Sequence, residues 1–118
     1  MKDGEHIEYY ESGEIYSKIN YLDGKLHGES IGYYSSGDIS YKYCFLDGKR
    51  HGEHIEYYLS GDISIKSNYL DGKLHGLSNY YYESGEIYSK SYHINYKLVI
   101  ESDWISYNRN NKLELLGL

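Results

Sequence analysis

The chain has 118 residues, among them 18 tyrosines and 13 glycines, a formal net charge of −6, and no Ala, Pro, Thr or Gln. That length builds one domain, the acid balance argues against non-specific binding to nucleic acid, and the lone Cys44 excludes an internal disulfide, as expected of a reducing compartment. The charged start MKDGEH is not a secretory leader, and no apolar run is long enough to span a bilayer, so a cytoplasmic protein is expected.

In chain order, a run rich in Ile and Tyr, HIEYY at 6–10, meets the turn signal Glu11-Ser12-Gly13. A second run, IYSKINY at 15–21, ends at Leu22-Asp23-Gly24. Both runs are too short for ordinary helices and suit a pleated, half-buried surface. Glycine after Ser or Asp between such runs is a strong hairpin signal. The same order of run and turn then returns. YLDGKLHG stands at 21–28 and again at 69–76, with FLDGKRHG between them at 45–52. Written in rows of 24, the chain aligns Gly4, Gly28, Gly52 and Gly76; Gly13, Gly37, Gly61 and Gly85; and Gly24, Gly48 and Gly72. Eleven of the 13 glycines fall in these columns, so glycine marks turns here and not flexibility.

The rows 4–27, 28–51, 52–75 and 76–99 therefore read as four hairpin repeats within 1–99. With three-residue bulged loops, Ile7 and Tyr9 share a face with Ile15, Ser17, Ile19 and Tyr21. Ile31, Tyr33, Ile39, Tyr41, Tyr43 and Phe45 continue that face. A two-residue loop at Ser12-Gly13 would set Ile7 beside Lys18 instead. The more apolar register is the expected one, because a one-residue slip turns every side chain over. There are too few aliphatic residues to fill a sandwich, whereas Tyr buries its ring and keeps its hydroxyl wet. Each ring that loses roughly 100 Å² to burial contributes about 2–3 kcal/mol. The expected fold is all-β, an elongated single-layer antiparallel meander of hairpins. Residues 100–118 break the pattern and read as a degenerate fifth repeat or a capping segment.

The columns YY-x-x-G-x-(I/L) and Y-x-x-G-K-x-x-G, as in GEHIEYYESGEIYSKINYLDGKLH at 4–27, resemble the MORN repeat in its longer variant form. The resemblance implies a single-layer meander that acts as a scaffold, dimerisation module or docking surface. It also raises membrane contact, through phosphoinositides, and an antitoxin-like binder of a toxic partner as alternatives.

The residues themselves carry no catalytic, cofactor or metal assignment. Equivalent residues of successive hairpins, such as His27, His51 and His75, lie two strands apart, about 9–10 Å. They cannot share a zinc whose ligands lie at about 2 Å. The acidic columns Asp23, Asp47, Asp71 and Glu14, Asp38, Asp62, Glu86 sit in turns, where Asp caps its own backbone. One extended surface pattern is left, the ladder Lys18, Lys42, Lys66, Lys90 with Tyr10, Tyr34, Tyr58, Tyr82. It is the candidate docking strip for an unidentified protein partner, since tyrosine enrichment marks recognition surfaces. A homodimer is expected as well. The strand at 6–10 begins almost at the first Met with nothing before it to cover its edge, and the tail carries Leu113, Leu115, Leu116 and Leu118.

Overall fold

The computed structural model describes residues 3–115, with the backbone alone for 112–115. It is one open antiparallel sheet with a helix at its end. In chain order the elements are β1 (Gly4–Tyr9), β2 (Ile15–Leu22), β3 (Lys25–Leu26), β4 (Gly28–Tyr33), β5 (Ile39–Leu46), β6 (Lys49–Arg50), β7 (Gly52–Tyr57), β8 (Ile63–Leu70), β9 (Lys73–Leu74), β10 (Gly76–Tyr81), β11 (Ile87–Ile94), β12 (Lys97–Val99) and α1 (Glu101–Leu115). The sheet runs β1-β2-β4-β5-β7-β8-β10-β11-β12, with β3, β6 and β9 beside β2, β5 and β8. It is the expected meander, one layer of consecutive hairpins.

Two kinds of turn build each repeat. At the first, the Tyr10 amide donates to the Glu14 carbonyl (2.8 Å) and the Gly13 amide to the Tyr10 carbonyl (3.0 Å). Gly13 has φ 96°. This is the expected three-residue loop closed by a glycine bulge. The second turn departs from that expectation. Leu22 pairs with Lys25, and Asp23 and Gly24 both have positive φ, 52° and 76°, which makes a two-residue type I′ turn.

The faces follow the expectation only as far as Ile15 and Ile39, which share the faces of Tyr9 and Tyr33; beyond them every side chain of β2 and β5 is turned over. Tyr9 pairs with Ile15 but Glu8 pairs with Ser17, so Tyr16 is an extra, bulged residue. Ser40, Ser64 and Tyr88 bulge at the same place in the later repeats. The bulge sets Ile7 opposite Lys18 and His6 opposite Ile19. Ile31 and Tyr33 therefore lie on the face opposite Tyr41, Tyr43 and Phe45. The more apolar register loses because its premise fails. Register is strongly specified only where one face is buried, and both faces of this sheet meet solvent.

No hydrophobic side chain among the described residues is fully buried. The most enclosed side chains are Ser17, Ser30, His54, Ser67 and Ser78, all on the face of Tyr41. Small residues there lie beneath aromatic rings. The Tyr41 ring covers Gly32 so closely that a Cβ would stand 2.0 Å from it. Tyr41, Tyr43 and His54 stack at 4.4 Å spacings, and the Arg50 guanidinium lies 4.3 and 4.8 Å from the centres of Tyr43 and Tyr69. Partial burial raises the Tyr41 and Tyr43 phenol pKa values above the ordinary range.

A fifth hairpin is not built, because residues 101–115 are helical. The glycines that open β1, β4, β7 and β10 have φ between 81° and 101°. Ile100 occupies that place in the next row, and a β-branched residue adopts such a conformation only at high cost. Glu101 and Asp103 in the first turn favour the helix through its dipole. Trp104 and Tyr107 meet the His75 ring at 5.6 and 5.5 Å, and Trp104 lies over Gly76, so the helix rests on the last repeat.

Two substitutions test the turns. A Cβ at Gly61 would meet nothing within 4 Å, and φ there is 97°, so Gly61→Ala adds only backbone strain. It is expected to lower unfolding free energy in urea by about 1–2 kcal/mol, with Asp62→Ala costing less. The last I′ turn holds Asn95 and Tyr96 at φ 52° and 72°, where Asp-Gly stands in the others. Tyr96→Gly relieves that strain at the expense of an exposed contact with Lys73. It should raise the urea midpoint, a gain of about 0.5–1 kcal/mol.

Candidate functional site

Directly paired residues share a face, and the registers join one line across the whole sheet. Ile7 pairs with Lys18, Lys18 with Ile31, Ile31 with Lys42, Lys42 with Ile55, Ile55 with Lys66, Lys66 with Asn79, and Asn79 with Lys90. The four lysines thus stand in one row across the sheet, at every second strand, about 9.6 Å apart. Glu5, Glu29 and Glu53 share this face two residues along the same strands from Ile7, Ile31 and Ile55. Lys66 reaches Glu53 at 3.6 Å. The Lys18 ammonium lies 6.0 Å from the centre of the Tyr33 ring.

The tyrosines of the strip do something else. The Tyr10 hydroxyl donates to the Tyr33 carbonyl (2.6 Å), Tyr34 to the Tyr57 carbonyl (2.5 Å), and Tyr58 to the Tyr81 carbonyl. Each bond ties one repeat to the next. The Tyr10 ring meets Tyr16 edge-on at 5.0 Å, and both stand near Tyr41, on the face away from the lysines. Tyr82 has no following repeat. It is 56% exposed and touches Tyr88. The structure therefore divides the expected strip, with Lys18, Lys42, Lys66 and Lys90 on one face and Tyr10, Tyr34 and Tyr58 engaged as staples beside the other.

A second staple runs along the opposite edge and is absent from any sequence pattern. The Gly48 amide donates to the Leu26 carbonyl (2.8 Å), Gly72 to Arg50 (2.7 Å), and Tyr96 to Leu74 (2.7 Å). Gly24, in the first turn, takes the Asp3 carboxylate instead, at 3.2 Å. Gly13, Gly37, Gly61 and Gly85 close the other turns.

The remaining polar columns have local roles. The backbone carbonyls of Glu14, Asp38, Asp62 and Glu86 each accept the amide that closes the bulged loop (2.8 Å). The amides of His27, His51 and His75 donate across to Asn20, Cys44 and Asn68. His54, which with His51 forms the HGEH pair, three apart in a run that reads as a strand and so no ligand set, is buried against Tyr43 and bonds Glu56 at 2.9 Å. Its signal was the size exchange across strands, where a bulky residue faces Ser or Gly. Among the described residues, no three His, Cys, Asp or Glu side chains gather as a metal site, and no helix is long and apolar enough to cross a membrane.

A stack of like hairpins with no enclosed interior, joined by repeated staples, is a repeat module whose faces are its working surfaces. The family model described as MORN repeat variant matches residues 2–23, 26–47, 50–71 and 74–95, well over half of the chain, and the protein belongs to that family. Its repeats are non-catalytic modules for protein or membrane interaction. No curated protein matches the sequence.

The staples are tested by removing one hydroxyl. Tyr34→Phe deprives the Tyr57 carbonyl of its donor and should cost about 1 kcal/mol in urea unfolding. Tyr82→Phe breaks no such bond within the chain and should leave the stability of the single chain, measured at low concentration, unchanged.

Proposed function

We propose that this chain is a non-enzymatic scaffold, a cytoplasmic protein–protein interaction module that binds an acidic partner along Lys18, Lys42, Lys66 and Lys90. The observation that carries this reading is the lysine row, four lysines on one face at a regular two-strand interval. That interval of about 9.6 Å approaches two turns of an α-helix, about 10.8 Å. Carboxylates seven residues apart on a partner helix would meet successive lysines. Ile31 and Ile55, between the first three lysines, offer such a helix apolar contact. The glutamates beside the row make the face mixed in charge, which suits a protein better than an anionic lipid surface. The chain's own α1 stands against this face, where desolvation and the Glu101 carboxylate beside it raise the pKa of the Tyr92 phenol, two positions from Lys90.

The test is a variant carrying Lys18→Glu, Lys42→Glu, Lys66→Glu and Lys90→Glu, with its melting curve compared first. Affinity capture from the native cell, followed by titration of the captured partner, should show binding weakened at least about tenfold. A partner held equally by both proteins overturns the reading. Flotation with phosphoinositide vesicles that depends on the same lysines would turn it towards a membrane module.

A further inference from the structure

The two ends of the array are the two halves of a junction that occurs three times inside it. Between β2 and β4, Lys18 pairs with Ile31 and Ser17 with Gly32. Lys42 and Tyr41 meet Ile55 and Glu56 in the same way, as do Lys66 and Ile65 with Asn79 and Tyr80. Each junction is closed by a tyrosine hydroxyl, as from Tyr10 to the Tyr33 carbonyl. The equivalent positions at the ends are open. On β11, Ser89 and Lys90 are exposed, whereas their counterpart Ser17 is 2% exposed. β12 covers β11 only at Tyr92, His93 and Ile94, and α1 leaves residues 87–90 exposed. At the other end β1 pairs with β2 alone among the described strands. Ile7 and Tyr9 are 37% and 61% exposed, and Glu8 is exposed where Gly32 is buried.

We propose that copies of this chain associate head to tail, β1 of one copy pairing with β11 of the next in the register that joins the repeats internally. Lys90 then stands opposite Ile7 of the next copy, and Ser89 opposite its Glu8. The Tyr82 hydroxyl donates to the Tyr9 carbonyl of that copy, completing the series begun by Tyr10, Tyr34 and Tyr58. The turn edge continues too. Leu98 follows Leu26, Arg50 and Leu74 at the same interval, and its carbonyl offers the incoming Gly24 amide the acceptor that Asp3 supplies at a free end. A closed two-fold dimer, the state expected from the sequence, uses one surface twice. This contact uses two different surfaces and so grows into open chains.

The outward amides follow from strand alternation. The Tyr10 amide points inward to Glu14, so Ile7 and Tyr9 present theirs outward, and by the same pattern Lys90 does on β11. Ile7→Pro and Lys90→Pro each remove one outward donor at an edge, where proline is tolerated. Light scattering over a concentration series should show the wild type rising past twice 13.8 kDa without a plateau. Each proline variant alone should remain a monomer. An equimolar mixture of the two should stop at a dimer, because one copy keeps a competent β1 and the other a competent β11. Circular dichroism establishes that both variants are folded. If either is not, Tyr82→Phe decides the matter, with association expected about fivefold weaker and Tyr34→Phe leaving it unchanged. A wild-type mass fixed at one or two chains up to high micromolar concentration, a mixture that does not associate, or a Tyr82→Phe variant as sticky as wild type overturns the proposal.

Discussion

Cohesion between neighbouring hairpins is the constraint on which this molecule rests. Within a hairpin the strands pair along six positions, as from Gly4 with Tyr21 to Tyr9 with Ile15. Between hairpins only two positions pair directly, because β3 takes up the turn half of the shared edge of β2. A layer without an interior fully buries no hydrophobic side chain among the described residues, and ring contacts such as Tyr43 on His54 make good only part of the difference. The junction is held instead at both margins, by a tyrosine hydroxyl on the loop side and a turn amide on the other. Each such bond contributes about 0.5–1.5 kcal/mol, and losing it leaves a carbonyl without its donor. The strict 24-residue period follows from this geometry, since an insertion would move a tyrosine away from its acceptor.

The bulge at Tyr16, Ser40, Ser64 and Tyr88 assigns the two faces their roles. One face becomes a self-contained layer in which rings cover Gly and Ser, and size is exchanged across strands. Gly32 lies under Tyr41, and Ser30 opposite Tyr43. The other face collects Ile and Lys in one row, with Asn79 in the place of the last isoleucine. The tyrosines that a sequence reader would assign to recognition are in part the means of assembly, and the lysines are left as the extended surface pattern of the second face. The leucines of the tail, Leu113, Leu115, Leu116 and Leu118, lie outside the described side chains, so the expected contact through them stands apart from this division.

The repeats, their boundaries in the turns and the all-β meander were legible in the residues, and the glycine columns carried most of that information. The I′ geometry at Asp23-Gly24 is also legible in the residues, because Asp-Gly between strands favours it, whereas Ser-Gly, as at Ser12-Gly13, marks the longer bulged loop. The helix at 101–115 is hidden in the sequence because Asn110-Asn111-Lys112-Leu113 resembles the Ser12-Gly13-Glu14-Ile15 turn of the first repeat. The loss of glycine at position 100 was the signal to weigh against it.

What the sequence determined by itself is what local backbone chemistry determines. Glycine and Asp-Gly at fixed intervals require positive φ at those places, and short runs of Ile and Tyr between them have no option but strands. The tertiary structure alone decided which way each side chain faces and what each tyrosine touches. A bulge is set by the hydrogen bonds between two strands, and the acceptor of Tyr10 belongs to a residue 23 positions on. Neither is a property of the segment in which it occurs. The lysine row exists because those bulges recur in register, and it becomes a row only when the strands are laid side by side.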